Sequence, residues 1–188
     1  LKRRGEDVRV LDLVPVAGVE SVAGSINDAD KAAQAASGVD AIFHLAGDAR
    51  LWAPDGDAFD RVNHLGTRMM LEAARASGVR RFVHCSSLTT LVGSGTRIGA
   101  STADETTRLA SEDMLGLYPR SKLLAEHAVE NSGLDAVIAI PTEPLGPGDE
   151  SLTPPTRLIL DLIAGKTPAT IDCMLNFVAV RSLAEGFI

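Results

Sequence analysis

The sequence predicts an α/β fold, a doubly wound parallel sheet covered by helices on both faces. Short apolar runs of strand length recur along the chain: VRVLDL (8–13), DAIFHLAG (40–47), RFVHCSS (81–87) and DAVIAIP (135–141). Stretches with helical periodicity separate them, and strands that alternate with helices pair in parallel. Chemically useful residues gather where the runs end, and ligands bind beyond the carboxyl ends of such strands.

The elements follow in order. The first run closes on Asp12. An alanine-rich helix is expected over 28–37, with Asn27 and Asp28 as candidate caps. The second run ends in Ala46-Gly47. A longer helix is predicted over 57–77, with Val62, Leu65, Met69 and Ala73 on one stripe and Gly78 at the C-terminal cap. The third run ends in Ser86-Ser87. Another helix spans 114–131, with Leu117, Leu124 and Val129 apolar and Gly133 closing it. The fourth run ends in Pro141-Thr142. Beyond it Pro144, Pro147, Pro154 and Pro155 crowd the chain too closely for a helix or a central strand. A helix over 157–164 and a strand pair at 169–173 and 175–180 are expected after that.

The chain of 188 residues, 45% hydrophobic and 23% charged, has the size and composition of a globular domain with a substantial core. A formal net charge of −7 argues against nucleic-acid or anionic-membrane partners. No apolar run approaches the length of a membrane span. The opening LKRRGEDVRV is charged and does not read as a secretory signal. Cys85 and Cys173 form no motif, so a reduced, cytoplasmic setting is the simplest expectation. His44, His64, His84 and His127 show no metal-ligand spacing, and no metal site is expected. A homodimer is one assembly the sequence allows.

Tyr118 is the chain's single tyrosine, and Lys122 stands one helical turn after it. A free phenol with a pKa of about 10 exchanges protons poorly at neutral pH. An ammonium on the same helical face favours the phenolate. A serine from the preceding strand end, Ser86 or Ser87, can hold a substrate oxygen within proton-transfer reach of the phenol. That set suits proton movement at an oxygen whose carbon gives or takes hydride, and hydride transfer calls for a nicotinamide. Any one of these residues alone reads equally well as structural. A YxxxK pair is weak by itself and gains weight behind a strand ending in Ser-Ser.

These residues resemble the extended short-chain dehydrogenases/reductases, the NAD-dependent epimerase/dehydratase family, whose fold is Rossmann-like. VRVLDL is similar to the family's second strand, GVDAIFHLAG (38–47) to its fourth strand, and RVNHLGTRMMLEAARASGVRRFVHCSS (61–87) to its long helix and serine strand. YPRSK matches the YxxxK pair, and IPTEPLGPGD (140–149) is similar to the proline-rich turn beside the nicotinamide. Within the family the sequence looks most like hopanoid-associated sugar epimerases, then dihydroflavonol-reductase-like enzymes. The resemblance implies Ser87, Tyr118 and Lys122 as catalytic residues, with Lys122 also holding the nicotinamide ribose. It implies cofactor contacts at Asp12, Leu13, Ser25, Ile26, Leu45, Ala46, Gly47, Ser86, Tyr118, Lys122, Pro141 and Thr142. NAD is expected over NADP, because Asp12 suits ribose hydroxyls and repels a 2′-phosphate. The expected organisation is a dinucleotide-binding domain over 1–141, joined in part by 169–188, with a substrate region beginning at 142–168.

The sequence also departs from the family. Ser25-Ile26 lacks the usual acid, Leu88-Thr89 replaces the Asp-Glu of sugar dehydratases, and Glu143 replaces a common asparagine. VAVRSLAEG (178–186) lacks the usual His-and-Asp pattern. The glycine-rich turn and the first strand are missing from the sequence, so the chain reads as incomplete at its N-terminus, and its end at Ile188 suggests the same there. The expected activity is hydride and proton transfer at a hydroxyl/carbonyl carbon, with a small molecule such as a nucleotide sugar as substrate. The alternatives are a dihydroflavonol-reductase-like NAD(P)H carbonyl reductase or a hydroxysteroid-type dehydrogenase, and a non-catalytic dinucleotide-binding sensor.

Overall fold

A computed structural model describes residues 1–50, 52–97, 102–170, 172 and 174–188. Seven strands and six α-helices alternate along it: β1 (Arg9–Asp12), β2 (Glu20–Ala23), α1 (Ala29–Ala36), β3 (Ala41–His44), α2 (Asp57–Phe59), α3 (Gly66–Ala76), β4 (Arg81–Cys85), α4 (Leu117–Glu130), β5 (Ala136–Ala139), β6 (Glu143–Leu145), α5 (Pro154–Ile163), β7 (Phe177–Ala179) and α6 (Val180–Phe187). A π-helical turn, Asp60–Leu65, joins α2 to α3.

All the ladders are parallel, as expected of an α/β fold. β1 pairs with β2, β3–β4–β5 form a second set, and β6 pairs with β7. The register sets His44 beside His84 and Cys85 beside Ala139. No ladder joins β1 to β3 among the described residues. The first two sets nevertheless share one apolar core. Ala32 and Ala36 of α1, Met70, Leu71 and Ala74 of α3, Phe82 of β4 and Val129 of α4 pack in a single cluster. Small residues on α1 let that helix lie close to α3. Gly66 makes similar room, since a methyl group there would come within 2.5 Å of Ile26 Cδ1.

Local chemistry explains the element ends. Asp28 caps α1 by accepting from the Asp30 and Lys31 amides. Gly78 and Gly133 adopt left-handed φ of 69° and 74° past α3 and α4. Helix α4 starts later than the expected 114, because Gly116, at φ 120°, breaks the chain direction just ahead of it.

Four differences from the expected elements have physical causes. Strand β2, ESVA, was not expected; it is too short and polar to give an apolar run, and its pairing with β1 creates it. Strand β6 runs through Pro144, which an edge pair tolerates and a central strand does not. Helix α5 begins at Pro154 rather than 157, since prolines in the first turn replace amides that have no intrahelical partner. The strand expected at 175–180 shortens to Phe177–Ala179, because helix α6 begins at Val180. The strand expected at 169–173 includes positions 171 and 173, which lie outside the described residues; 169, 170 and 172 carry no strand.

Candidate active site at the strand ends

Parallel strands deliver their carboxyl ends to one edge, so the residues after β3, β4 and β5 meet the start of α4. Strand β4 stops at Cys85. The Ser86 amide still donates to the Ala139 carbonyl (2.8 Å), and the Leu88 amide donates to the Pro141 carbonyl (3.0 Å). Ser87 is held between those two bonds. It caps a short 3-10 turn, with its Oγ accepting from the Thr89 amide at 3.3 Å and the Thr89 hydroxyl at 3.0 Å.

Helix α4 brings Tyr118 and Lys122 to the same edge. The half-buried Tyr118 ring packs edge-on against Phe59, with centroids 6.3 Å apart. The Ser87 side chain is near enough to favour ionisation of its phenol. Lys122 is buried, and its Nζ donates to the Cys85 carbonyl at 2.6 Å. A methyl group at Gly47 would lie 3.1 Å from Asn63 Oδ1 and 3.9 Å from Lys122 Nζ, so Gly47 backs directly onto the amine.

The electrostatics differ from the expectation in one respect. Burial raises the Tyr118 pKa above the ordinary phenol value; the nearby Ser87 side chain opposes this, and the neighbouring Cys85 and Asp48 groups add to it. The Lys122 amine donates to the Cys85 carbonyl beside this phenol. Burial in turn lowers the Lys122 pKa, against the opposing pull of Cys85 and Glu126. The phenol is therefore neutral at pH 7 in this form.

The other expected residues separate into groups. Gly47, Ser87, Tyr118 and Lys122 come together, with Ala46, Pro141 and Thr142 half-buried on adjoining strand ends and Leu45 exposed beside them. Asp12 and Leu13 are exposed at the end of β1, where Asp12 Oδ1 accepts from the Val14 amide at 3.2 Å. Ser25 follows β2 and accepts from the Asn27 amide at 3.1 Å. Ile26 belongs to the core against α3. Ser86 turns away from the cleft; its buried hydroxyl is bonded to Glu126 on α4.

Sequence reasoning missed Asn63, Asp48 and Ser121. Asn63 lies in the π-helical turn, 1% exposed. Its Oδ1 accepts from the Asp48 amide (2.7 Å), and its Nδ2 donates to the Asp48 carbonyl (3.0 Å) and to Ser121 Oγ (2.9 Å). One amide side chain thus ties the Gly47-Asp48 turn to α4 between Tyr118 and Lys122. The available signal was a lone asparagine beside the apolar stripe of 57–77. Asp48 is held by Arg50 through bonds of 2.5–3.1 Å, and that pairing lowers its pKa.

No helix among the described residues is long and apolar enough to cross a membrane, and no cluster of three or more potential metal ligands occurs among them.

Three comparisons bear on this site. The sequence profile of the NAD dependent epimerase/dehydratase family matches residues 1–171. The sterol demethylase protein B of Methylococcus capsulatus is 33% identical over 184 residues, covering 96% of this chain and 54% of that protein. A 3 beta-hydroxysteroid dehydrogenase/Delta 5-->4-isomerase of Mycobacterium tuberculosis is 31% identical over 204 residues, covering 98% and 53%. Among solved structures, a DesIV double mutant (dTDP-glucose 4,6-dehydratase) from Streptomyces venezuelae, with NAD and DAU bound, superposes with a TM-score of 0.80 at 25% identity, covering 96% of this chain and 61% of that one. The chain spans about half the length of the curated relatives it matches.

Proposed function

This chain belongs to the NAD dependent epimerase/dehydratase family, and on that premise we propose that it carries the catalytic face of an enzyme moving hydride and a proton at a hydroxyl/carbonyl carbon. The observation that carries the proposal is the convergence of Ser87, Tyr118 and Lys122 beside Gly47, with the Lys122 amine fixed to the strand that presents the serine. Ser87 orients the substrate oxygen, and Tyr118 gives it a proton or takes one from it. Lys122 supplies positive charge behind the phenol and a donor toward the cofactor side.

NAD would supply the hydride acceptor. The donor set fits its two ends. Gly47 leaves no side chain between the cleft and the amine, while the exposed Asp12 carboxylate suits the adenosine ribose and disfavours a 2′-phosphate. The sequence contains no glycine-rich turn for the diphosphate. Residues 1–141, joined in part by 169–188, form the nucleotide-binding portion in this reading, and 142–168 begin the substrate region.

The proposed substrate is a nucleotide sugar, by likeness to the dTDP-glucose dehydratase. A second reading, a hydroxysteroid-type or dihydroflavonol-like alcohol, is favoured by the apolar residues Leu115 and Leu117, exposed immediately ahead of Tyr118. Leu88-Thr89 in place of an Asp-Glu pair speaks against 4,6-dehydration in either case. The test is to offer the full-length protein both substrate classes with NAD and follow the cofactor. An epimerase returns its hydride and shows no net NADH; a dehydrogenase accumulates it stoichiometrically. No conversion of either class contradicts the proposal.

A further inference from the structure

Glu126 is a carboxylate in an unusual place: 9% exposed, on the buried side of α4, one helical turn beyond Lys122. No cation lies within 4 Å of its carboxylate among the described residues. A buried carboxylate is costly unless hydrogen bonds and a nearby cation compensate it. Here the Ser86 hydroxyl donates to it, and Ser86 is itself buried. The nearby cation is Lys122.

We propose that Glu126 is a positioning residue that works on both halves of the site: its carboxylate anchors the strand end that presents Ser87, and it sets a negative charge one helical turn from the buried Lys122 amine. The inference deepens the catalytic reading above and rests on it. The anchoring half follows from the bonds around Ser87. The segment 86–88 is fixed to β5 by the Ser86 and Leu88 amides; the Ser86–Glu126 bond adds the attachment to α4, the helix that carries Tyr118. Serine and phenol are thereby referenced to each other through Glu126 rather than only through the sheet.

The charge half follows from what surrounds Lys122. On β4 it meets the Cys85 carbonyl and thiol, and His84; on β3 it meets His44; on its own helix Tyr118 precedes it and Glu126 follows it. Both histidines are neutral in the fold, so they do not supply negative charge. Burial pushes Lys122 toward the uncharged amine, and among its neighbours Cys85 and Glu126 oppose that. The Cys85 thiol is itself held in its neutral form by burial. Glu126 is left as the group that can stabilise the ammonium at neutral pH.

The experiment is a 13C NMR titration of the lysine side-chain signals in the full-length protein, with Lys2, Lys31 and Lys166 as internal references, alongside the pH profile of turnover. Glu126→Gln keeps shape and a bond to Ser86 while removing the charge. Its Lys122 signal should titrate lower by on the order of one pH unit, with the matching limb of the kcat profile moving equally. Ser86→Ala removes the bond and keeps the charge; it should leave the Lys122 titration in place while lowering kcat more than it raises KM. A folded Glu126→Gln protein whose Lys122 titrates as in the wild type overturns the charge role, and unchanged kcat in Ser86→Ala overturns the anchoring role. If Tyr118→Phe stays active while the Lys122 shift persists, the catalytic reading has failed and the Glu126–Lys122 coupling has not.

Discussion

Lys122 of helix α4 donates to the carbonyl of Cys85 on strand β4 at 2.6 Å, two residues before Ser87. Together with the Ser86–Glu126 bond, this bond ties the helix bearing Tyr118 to the strand end bearing Ser87. It also satisfies an amine that is 5% exposed. In the proposed function, a bound nicotinamide ribose competes with the Cys85 carbonyl for this donor.

Lys122→Met tests that dual role. The substitution keeps the unbranched stem but removes the Cys85 bond and the cation nearest Glu126, so the variant should be less stable, and its fold is checked by circular dichroism before binding is read. NAD affinity, measured by calorimetric titration, should fall by about tenfold or more, the equivalent of one lost charge-assisted hydrogen bond. Wild-type affinity in a folded variant would remove the ribose contact from the account.

Asn63→Ala should destabilise the protein by about 1–3 kcal/mol, because it takes the partner from the half-buried Asp48 amide and carbonyl and leaves Ser121 only its bond to the Tyr118 carbonyl. Urea denaturation reads this directly. Turnover should fall as well, since the Gly47-Asp48 turn loses its tie to α4. A change under 1 kcal/mol on the same order-of-magnitude scale would mean water replaces the amide at no cost.

The stacked pair His44 and His84, with ring centroids 5.5 Å apart, should make the fold acid-sensitive. Burial and the Lys122 charge push His44 down to about 3 and His84 to about 2, the latter helped by His44. Both folded-state values lie below the unfolded value of 6.5, so the unfolded chain binds more protons between them. Stability is therefore complete above pH 6.5 and declines as pH falls toward 3, by up to about 1.4 kcal/mol per pH unit for each histidine. His84 is the better probe, since both its ring nitrogens are buried without partners. His84→Phe should flatten the decline without loss of stability at pH 7. An unchanged slope in urea midpoints against pH would show that other groups set the acid limit.

Much of this was legible in the sequence because it rests on local pattern. The four apolar runs became β1, β3, β4 and β5, and the glycine caps and the YxxxK helix fell close to where periodicity set them. Strand β2 was not legible, since ESVA has no apolar run and exists as a strand by pairing. The prolines at 144, 154 and 155 suggested irregular chain, yet an edge strand and a helix's first turn both accept proline. In the site, residue types pointed to Ser87, Tyr118 and Lys122, but not to where their side chains turn. The Cys85 carbonyl, the Asn63 clamp and the Ser86–Glu126 bond are tertiary contacts, fixed by how α4 lies across β4. No spacing encodes them.

The central claim is that Tyr118 moves the proton in a hydride transfer supported by this site. A single-turnover measurement of the nicotinamide signal in Tyr118→Phe against the wild type tests it most directly, on the full-length protein with the substrate class found active. Removing one hydroxyl keeps the ring packed on Phe59, so NAD should bind within a few-fold of wild type while the signal change slows by about a hundredfold or more. A Tyr118→Phe protein that binds NAD and turns over at the wild-type rate would contradict the account.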